Sequence, residues 1–259
     1  MVNALIACRA SQPTGGESPD LHGLASPLSF WEDPRPMNAQ AATELDPARV
    51  QAAVFDLGGV LIDGGPREVA AMGARVGLQG TAWESVRHEV FGNEGAWAAL
   101  ERGELSFEEF LGQMRQRIVA AGGSVPPDER LAFLGGERPT DRRLLRQPLL
   151  GAVRSLRGQM RTALLTNNVR EWRSGWRSAL DLEDLFDVVV DSSEIGTRKP
   201  EPRIYEITRE RLDVPHQHIF FIDDIGQNLK AARALGWQTF LFRDLATTLA
   251  VLETVRDSR

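Results

Sequence analysis

The sequence predicts an α/β fold: a Rossmann-like parallel sheet with an all-α segment inserted after its first strand. Two patterns carry that expectation. Short, uninterrupted apolar runs rich in strand formers alternate with helical stretches, the pattern of a parallel sheet covered on both faces. Between the first run and the second lies residues 66–145, a block of helical periodicity with no strong strand signal. Composition agrees, since 259 residues with 42% hydrophobic and 25% charged side chains suit an ordinary globular domain. A wholly disordered, fibrous or disulfide-scaffold protein is excluded.

Along the chain, residues 1–48 stand apart. Six of the 14 prolines fall there (Pro13, Pro19, Pro27, Pro34, Pro36 and Pro47), with Gly15-Gly16 and scattered serines. Missing backbone donors and no apolar periodicity predict a flexible tail. Met37, just upstream of the first convincing element, is the expected start of translation. Residues Ala4 to Cys8 are apolar, but no positive charge precedes them and the run is shorter than the roughly 7–15 residues of a signal core. Structure begins at Ala52-Ala-Val-Phe55, a buried strand that ends on Asp56 and Gly58-Gly59.

Within the insertion, Trp97-Ala-Ala-Leu-Glu-Arg102 reads as helix. So does Ser106-Phe-Glu-Glu-Phe-Leu-Gly-Gln-Met114, where Ser106 and Glu109 make a capping-box signature. Later strands are predicted at Thr162–Thr166, Phe186–Val190, Ile219–Ile222 and Thr239–Phe242. Helices are predicted at Pro202–Leu212 and Asn228–Leu235, the latter closed by Gly236. The expected division is a tail over 1–48, an α/β core of 49–65 and 146–259, and a helical segment over 66–145.

The formal charge is −6, from 30 Lys and Arg against 36 Asp and Glu, so no broad nucleic-acid footprint is expected. Cys8, the only cysteine, permits no intramolecular disulfide and fits a reducing compartment. No apolar stretch approaches the roughly 20 residues of a membrane span. The expectation is a cytoplasmic monomer or homodimer that binds neither nucleic acid nor membrane.

Ligands of open α/β sheets bind at the carboxyl ends of the strands. Polar residues sit at such ends here: Asp56, then Thr166-Asn167-Asn168, then Lys199 in a loop, then Asp223-Asp224. Each alone also reads as a turn former, a cap or a solvated charge. The adjacent acids repel unless a cation or hydrogen-bond donors compensate them.

Together these clusters resemble the haloacid dehalogenase-like (HAD) hydrolase superfamily. The first motif is Val54-Phe-Asp-Leu-Gly-Gly-Val-Leu-Ile-Asp63 and the second Leu164-Leu-Thr-Asn-Asn168. The third is Gly196-Thr-Arg-Lys-Pro-Glu-Pro-Arg-Ile-Tyr205 and the fourth Phe221-Ile-Asp-Asp-Ile-Gly-Gln-Asn-Leu-Lys-Ala-Ala232. The last two are similar to the N-terminal phosphatase domain of soluble epoxide hydrolases, and the resemblance covers roughly residues 50–245. It implies a HAD fold with residues 66–145 as a cap over the active site.

It also implies a Mg²⁺-dependent phosphatase acting on a small phosphorylated metabolite. In that reading Asp56 is the nucleophile that forms an aspartyl-phosphate. Asp56, Asp224 and the Gly58 carbonyl hold the cation, with Asp223 beside or behind it. Thr166 and Asn167 donate to phosphoryl oxygens, Lys199 supplies positive charge, and Gly59 lies at the substrate. Asn228 orients the metal loop.

One departure stands out. Many phosphatases of this superfamily carry a second Asp, the general acid and base, two positions after the nucleophile; here that position is Gly58. Asp63 is the nearest acidic alternative in sequence. Two other readings therefore stand beside the phosphatase: a dehalogenase-type hydrolase, and a non-catalytic binding or regulatory protein on the same fold.

Overall fold

The computed structural model describes residues 45–63, 72–125 and 144–259, all within the compact unit Met37–Arg259. Most of the predicted tail, with Cys8 and Met37, and stretches 66–71 and 126–143 of the predicted insertion lie outside the described residues.

Five strands form one sheet: β1 (Ala52–Phe55), β2 (Arg161–Thr166), β3 (Val188–Asp191), β4 (Ile219–Asp223) and β5 (Gln238–Leu241). Their order is β3-β2-β1-β4-β5, and every pairing is parallel. The chain leaves β1 for one side of the sheet and returns to its other side at β4. That reversal opens a crevice at the carboxyl ends of the strands flanking β1.

The continuous apolar runs have a packing cause. Ala53 and Phe55 face one buried cluster with Leu164, Phe220 and Ile222. Ala52 and Val54 face a second, with Ala163, Leu165 and Phe221. With both faces covered, strand residues have no reason to alternate with polar ones. The first cluster is closed by helices α4 (Gln147–Leu156) and α10 (Leu245–Asp257), the second by α8 (Pro202–Leu212) and α9 (Gly226–Ala234).

The third strand begins two residues later than predicted. Phe186 caps the short helix α6 (Leu182–Leu185), donating its N–H to Leu182 O, and pairing with β2 starts only at Val188 opposite Ala163. The fifth strand likewise lies one residue earlier, because Gln238 pairs with Phe220. Helix α9 starts at Gly226, since Ile225 N–H is fixed on the Asp223 carboxylate at 2.7 Å.

Between β1 and α4 the described residues include the helices α1 (Gly80–Phe91), α2 (Ala96–Glu101) and α3 (Phe107–Ala120). They share a separate cluster that includes Trp83, Phe91, Leu100, Phe110 and Ile118. The capping box is formed: Glu109 N–H donates to Ser106 Oγ at 3.2 Å and Ser106 N–H to the Glu109 carboxylate at 2.8 Å. Two further short α-helices among the described residues are α5 (Arg173–Ala179) and α7 (Ser192–Ile195). No helix among the described residues is long and apolar enough to cross a membrane.

Candidate active site

Three neighbouring strands deliver the predicted polar residues to one edge of the sheet. Register places Phe55 between Leu164 and Ile222, so Asp56, Thr166 and Asp223 emerge together at the carboxyl ends of β1, β2 and β4. The loop between α7 and α8 carries Lys199 back over that edge. Its ammonium lies 2.8 Å from Asp56 Oδ1 and 2.7 Å from Asp223 Oδ2. With Lys199 1% exposed and Asp223 fully buried, this is a desolvated carboxylate–ammonium–carboxylate array. Burial alone pushes the lysine pKa down, but Asp223 and Asp56 outweigh it and leave it raised, so the lysine stays cationic.

The supports around the array are local and specific. Asn167 holds the lysine backbone: its Oδ1 accepts from Lys199 N–H at 2.8 Å, and its amide donates to Lys199 O at 2.9 Å. Thr166 is buried at the end of β2. Asn228 donates to both oxygens of Asp223 at 3.1 Å, and Asp223 Oδ1 also accepts Ile225 N–H. Asp223 thus has partners on every side. Burial drives the Asp56 pKa well above the usual carboxylate range; Lys199 opposes the rise, and Asp223 and Asp224 add to it.

Asp224 differs from its neighbour. Its Oδ1 is buried with no hydrogen-bond partner, and burial followed by the Asp223 charge pushes its pKa up to about 7. One oxygen from each of Asp56, Asp223 and Asp224 lies within 4.8 Å of the others. Carboxylate oxygens gathered this closely, one of them without a donor, fit a hard divalent cation such as Mg²⁺. Gly59 makes the approach possible. It sits at φ +80°, and a Cβ there would lie 2.1 Å from Asp224 Oδ2.

A pH dependence follows with a definite sign. An unfolded carboxylate titrates near 3.8, whereas native Asp224 titrates at about 7. The native state binds this proton more tightly, so its contribution to stability is full below pH 3.8 and is lost as pH rises towards 7. Melting curves with chelator present are expected to show a fall across that window that is shallower in Asp224→Asn. Parallel profiles for the two proteins would exclude Asp224 as its source.

The loop after Asp56 has an anchor the sequence did not announce. Arg146 donates to Gly59 O and Val60 O, both at 2.9 Å, pairs with Asp63 at 2.7 Å and lies over the Phe242 ring. Arg146 N–H also bonds Leu61 O, and Asp63 N–H bonds Leu144 O. The two ends of the helical insertion are thereby tied beside the site. Asp63, the acid nearest Asp56 in sequence, is held in this ion pair with its side chain 69% exposed.

A parallel sheet in this order, with an acid-and-lysine array at its crevice and helices inserted after β1, defines a class of hydrolytic enzyme. The chain belongs to the haloacid dehalogenase-like hydrolase family, whose model matches residues 50–236. It is 32% identical over 172 residues to rat bifunctional epoxide hydrolase 2, covering 62% of this chain and 31% of that one. It spans between 19% and 39% of the length of three mammalian relatives. A sesquiterpene phosphatase of Aspergillus oryzae is 27% identical over 214 residues, 79% of this chain and 96% of the relative. In fold it resembles a HAD family enzyme of Bacteroides thetaiotaomicron solved with magnesium and inorganic phosphate. That likeness has TM-score 0.56 at 21% identity and covers 77% of this chain and 98% of the other.

Proposed function

We propose that this hydrolase is a Mg²⁺-dependent phosphatase that acts on a small phosphorylated metabolite through an aspartyl-phosphate on Asp56. The observation that carries the reading is the buried Asp56–Lys199–Asp223 array beside an Asp224 oxygen that lacks a partner. Phosphoryl transfer needs a positioned nucleophile and concentrated positive charge, with little covalent chemistry beyond that. The relative named a sesquiterpene phosphatase and the magnesium- and phosphate-bound fold neighbour support the same reading.

Asp56, Asp224 and the Gly58 carbonyl hold the cation, and Asp223, whose oxygens are already engaged, positions Lys199 and the loop. When bound, Mg²⁺ neutralises charge on the phosphoryl oxygens. Asp56 Oδ1 accepts from Leu57 N–H at 2.7 Å and from Lys199, which fixes the rotation of the carboxylate and presents Oδ2 to phosphorus. A bond forms from that oxygen to phosphorus while the bond from phosphorus to the substrate oxygen breaks. The leaving oxygen keeps the electron pair and takes a proton from solvent, to which the attacking water later returns one. Water then attacks phosphorus, releasing inorganic phosphate and restoring the Asp56 carboxylate.

Thr166 donates to a phosphoryl oxygen, Lys199 supplies positive charge, Gly59 keeps the loop close, and Asn167 acts by holding Lys199. The helical insertion is the cap that covers the crevice and selects the substrate. A dehalogenase attacking carbon has less use for the acid pair, because displacing halide from neutral carbon needs no divalent cation.

Turnover of a generic aryl phosphate, titrated with Mg²⁺ and followed by a screen of metabolite phosphates, tests the reading. No turnover of any phosphomonoester at saturating Mg²⁺ overturns it. Asp224→Ala is expected to lower Mg²⁺ affinity and turnover together, each about 10- to 100-fold, as when a hard cation loses one of few protein oxygens. Unchanged Mg²⁺ affinity by calorimetry would remove Asp224 from the ligand set.

A further inference from the structure

The loop that carries Lys199 is gripped from the helical insertion at Arg198 and at Glu201. On one side, Arg198 Nε meets Glu101 Oε2 at 2.6 Å, with both side chains 8% exposed. The second oxygen of Glu101 accepts Trp97 Nε1–H at 2.8 Å, and Arg198 Nη1 donates to Asn93 Oδ1 at 3.2 Å. On the other side, Arg102 pairs with Glu201 at 3.0 Å. Glu201 in turn accepts from Thr197 Oγ1 at 2.7 Å and from Arg198 N–H at 3.3 Å. An acid and a base at the end of α2 thus face a base and an acid that bracket the lysine.

The order of the charges makes the docking directional. Shifting the insertion so that Glu101 met Glu201 and Arg102 met Arg198 would set like charges together, at a cost that excludes the alternative register. A buried pair whose partners are themselves hydrogen-bonded fixes geometry well, because neither group can move without leaving a desolvated charge alone. Lys199 lies between the two pairs and is held from below by Asn167.

We propose that Glu101 and Arg102 are positioning residues through which the docked insertion sets Lys199 for its part at Asp56. The array that handles the phosphoryl group is then complete only while the insertion is seated. This inference rests on the phosphatase reading for its kinetic consequence, but not for its structural one. Neither residue touches the reacting atoms; each acts through the loop that carries the lysine.

The test uses Glu101→Gln, which keeps the side-chain size and the acceptor for Trp97 but removes the charge facing Arg198. It is read against Arg102→Gln, a milder change at a more exposed pair. For Glu101→Gln on an aryl phosphate with saturating Mg²⁺, kcat is expected to fall about 10- to 100-fold, the size of a small misplacement of a catalytic group, with KM nearly unchanged. Amide hydrogen exchange in residues 196–201 is expected to quicken while strand β1 stays protected. Arg102→Gln is expected to move both readouts in the same direction by less, and it carries the test if Glu101→Gln does not fold.

A lowered melting temperature with unchanged kcat and unchanged exchange at 196–201 would make the pairs a weld between two lobes and overturn the proposal. If the wild-type protein turns over no phosphomonoester, the phosphatase reading falls. The exchange measurement then still decides whether these residues order the lysine loop.

Discussion

Asp56→Asn is expected to abolish turnover, lowering kcat on the order of 10⁴- to 10⁶-fold, the scale seen when a covalent nucleophile is removed. The variant is nearly isosteric, and its amide oxygen can still accept the Leu57 N–H that holds Asp56 Oδ1 at 2.7 Å. In the phosphatase reading, what disappears is the carboxylate that attacks phosphorus. The fold is expected to survive, because burial and the charges of Asp223 and Asp224 already work against an ionised Asp56. Lys199 keeps Asp223 at 2.7 Å as its counter-ion. The informative measurement is therefore a pair: steady-state turnover of an aryl phosphate, and melting temperature without added cation. A variant that melts at or above the wild-type temperature and turns over within tenfold of it would remove Asp56 as nucleophile.

Much of this site was legible because its residues sit where strands end. Asp56 follows Ala52–Phe55 and the acid pair follows Ile219–Ile222, and strand ends are set by short-range apolar runs that a sequence displays directly. The shifted ends of β3 and β5 show the limit. Pairing register with β2 and β4 decides where a ladder starts, and register is a property of two segments at once. The role of Asn167 illustrates the same limit at side-chain scale. Its type and position fit a phosphate donor, and the sequence did not show that its Oδ1 and amide also bond the backbone of a residue 32 positions later.

Arg146 and the Glu101–Arg198 pair were invisible for a related reason. Arg146 reaches back 87 residues to Gly59, and Arg198 reaches Glu101 across 97. Arginines are common in this chain and neither stands in a local pattern that marks it. The only available signal for Glu101 and Arg102 was their place within residues 66–145, which the family resemblance implies to be a cap. For Arg146 there was none.

Gly58→Asp is expected to raise turnover, most of all for alkyl phosphates. In the phosphatase reading, a poor alkoxide leaving group needs a proton as its bond to phosphorus breaks, and Gly58 has no side chain to give one. Positioned general acids contribute about 10²–10⁴-fold, so a gain of about 100-fold on alkyl phosphates is the expected scale, with far less on aryl phosphates whose leaving groups need little help. The backbone can accept the change. A Cβ at Gly58 meets nothing within 4 Å and Gly58 is not at positive φ, in contrast to Gly59 at φ +80°, whose Cβ would strike Asp224. Gly58 lies two residues after Asp56, at a site where Asp56, Asp223 and Asp224 already gather, and the negative charge of these acids favours the protonated form of a carboxyl added there, the form a general acid requires. The same repulsion predicts a small loss of stability that added Mg²⁺ reverses, so melting temperatures with and without the cation belong to the experiment. A folded Gly58→Asp protein that gains nothing on alkyl phosphates would show that protonation of the leaving group is not the slow step. The proton would then come from water, from the substrate itself or from the helical insertion.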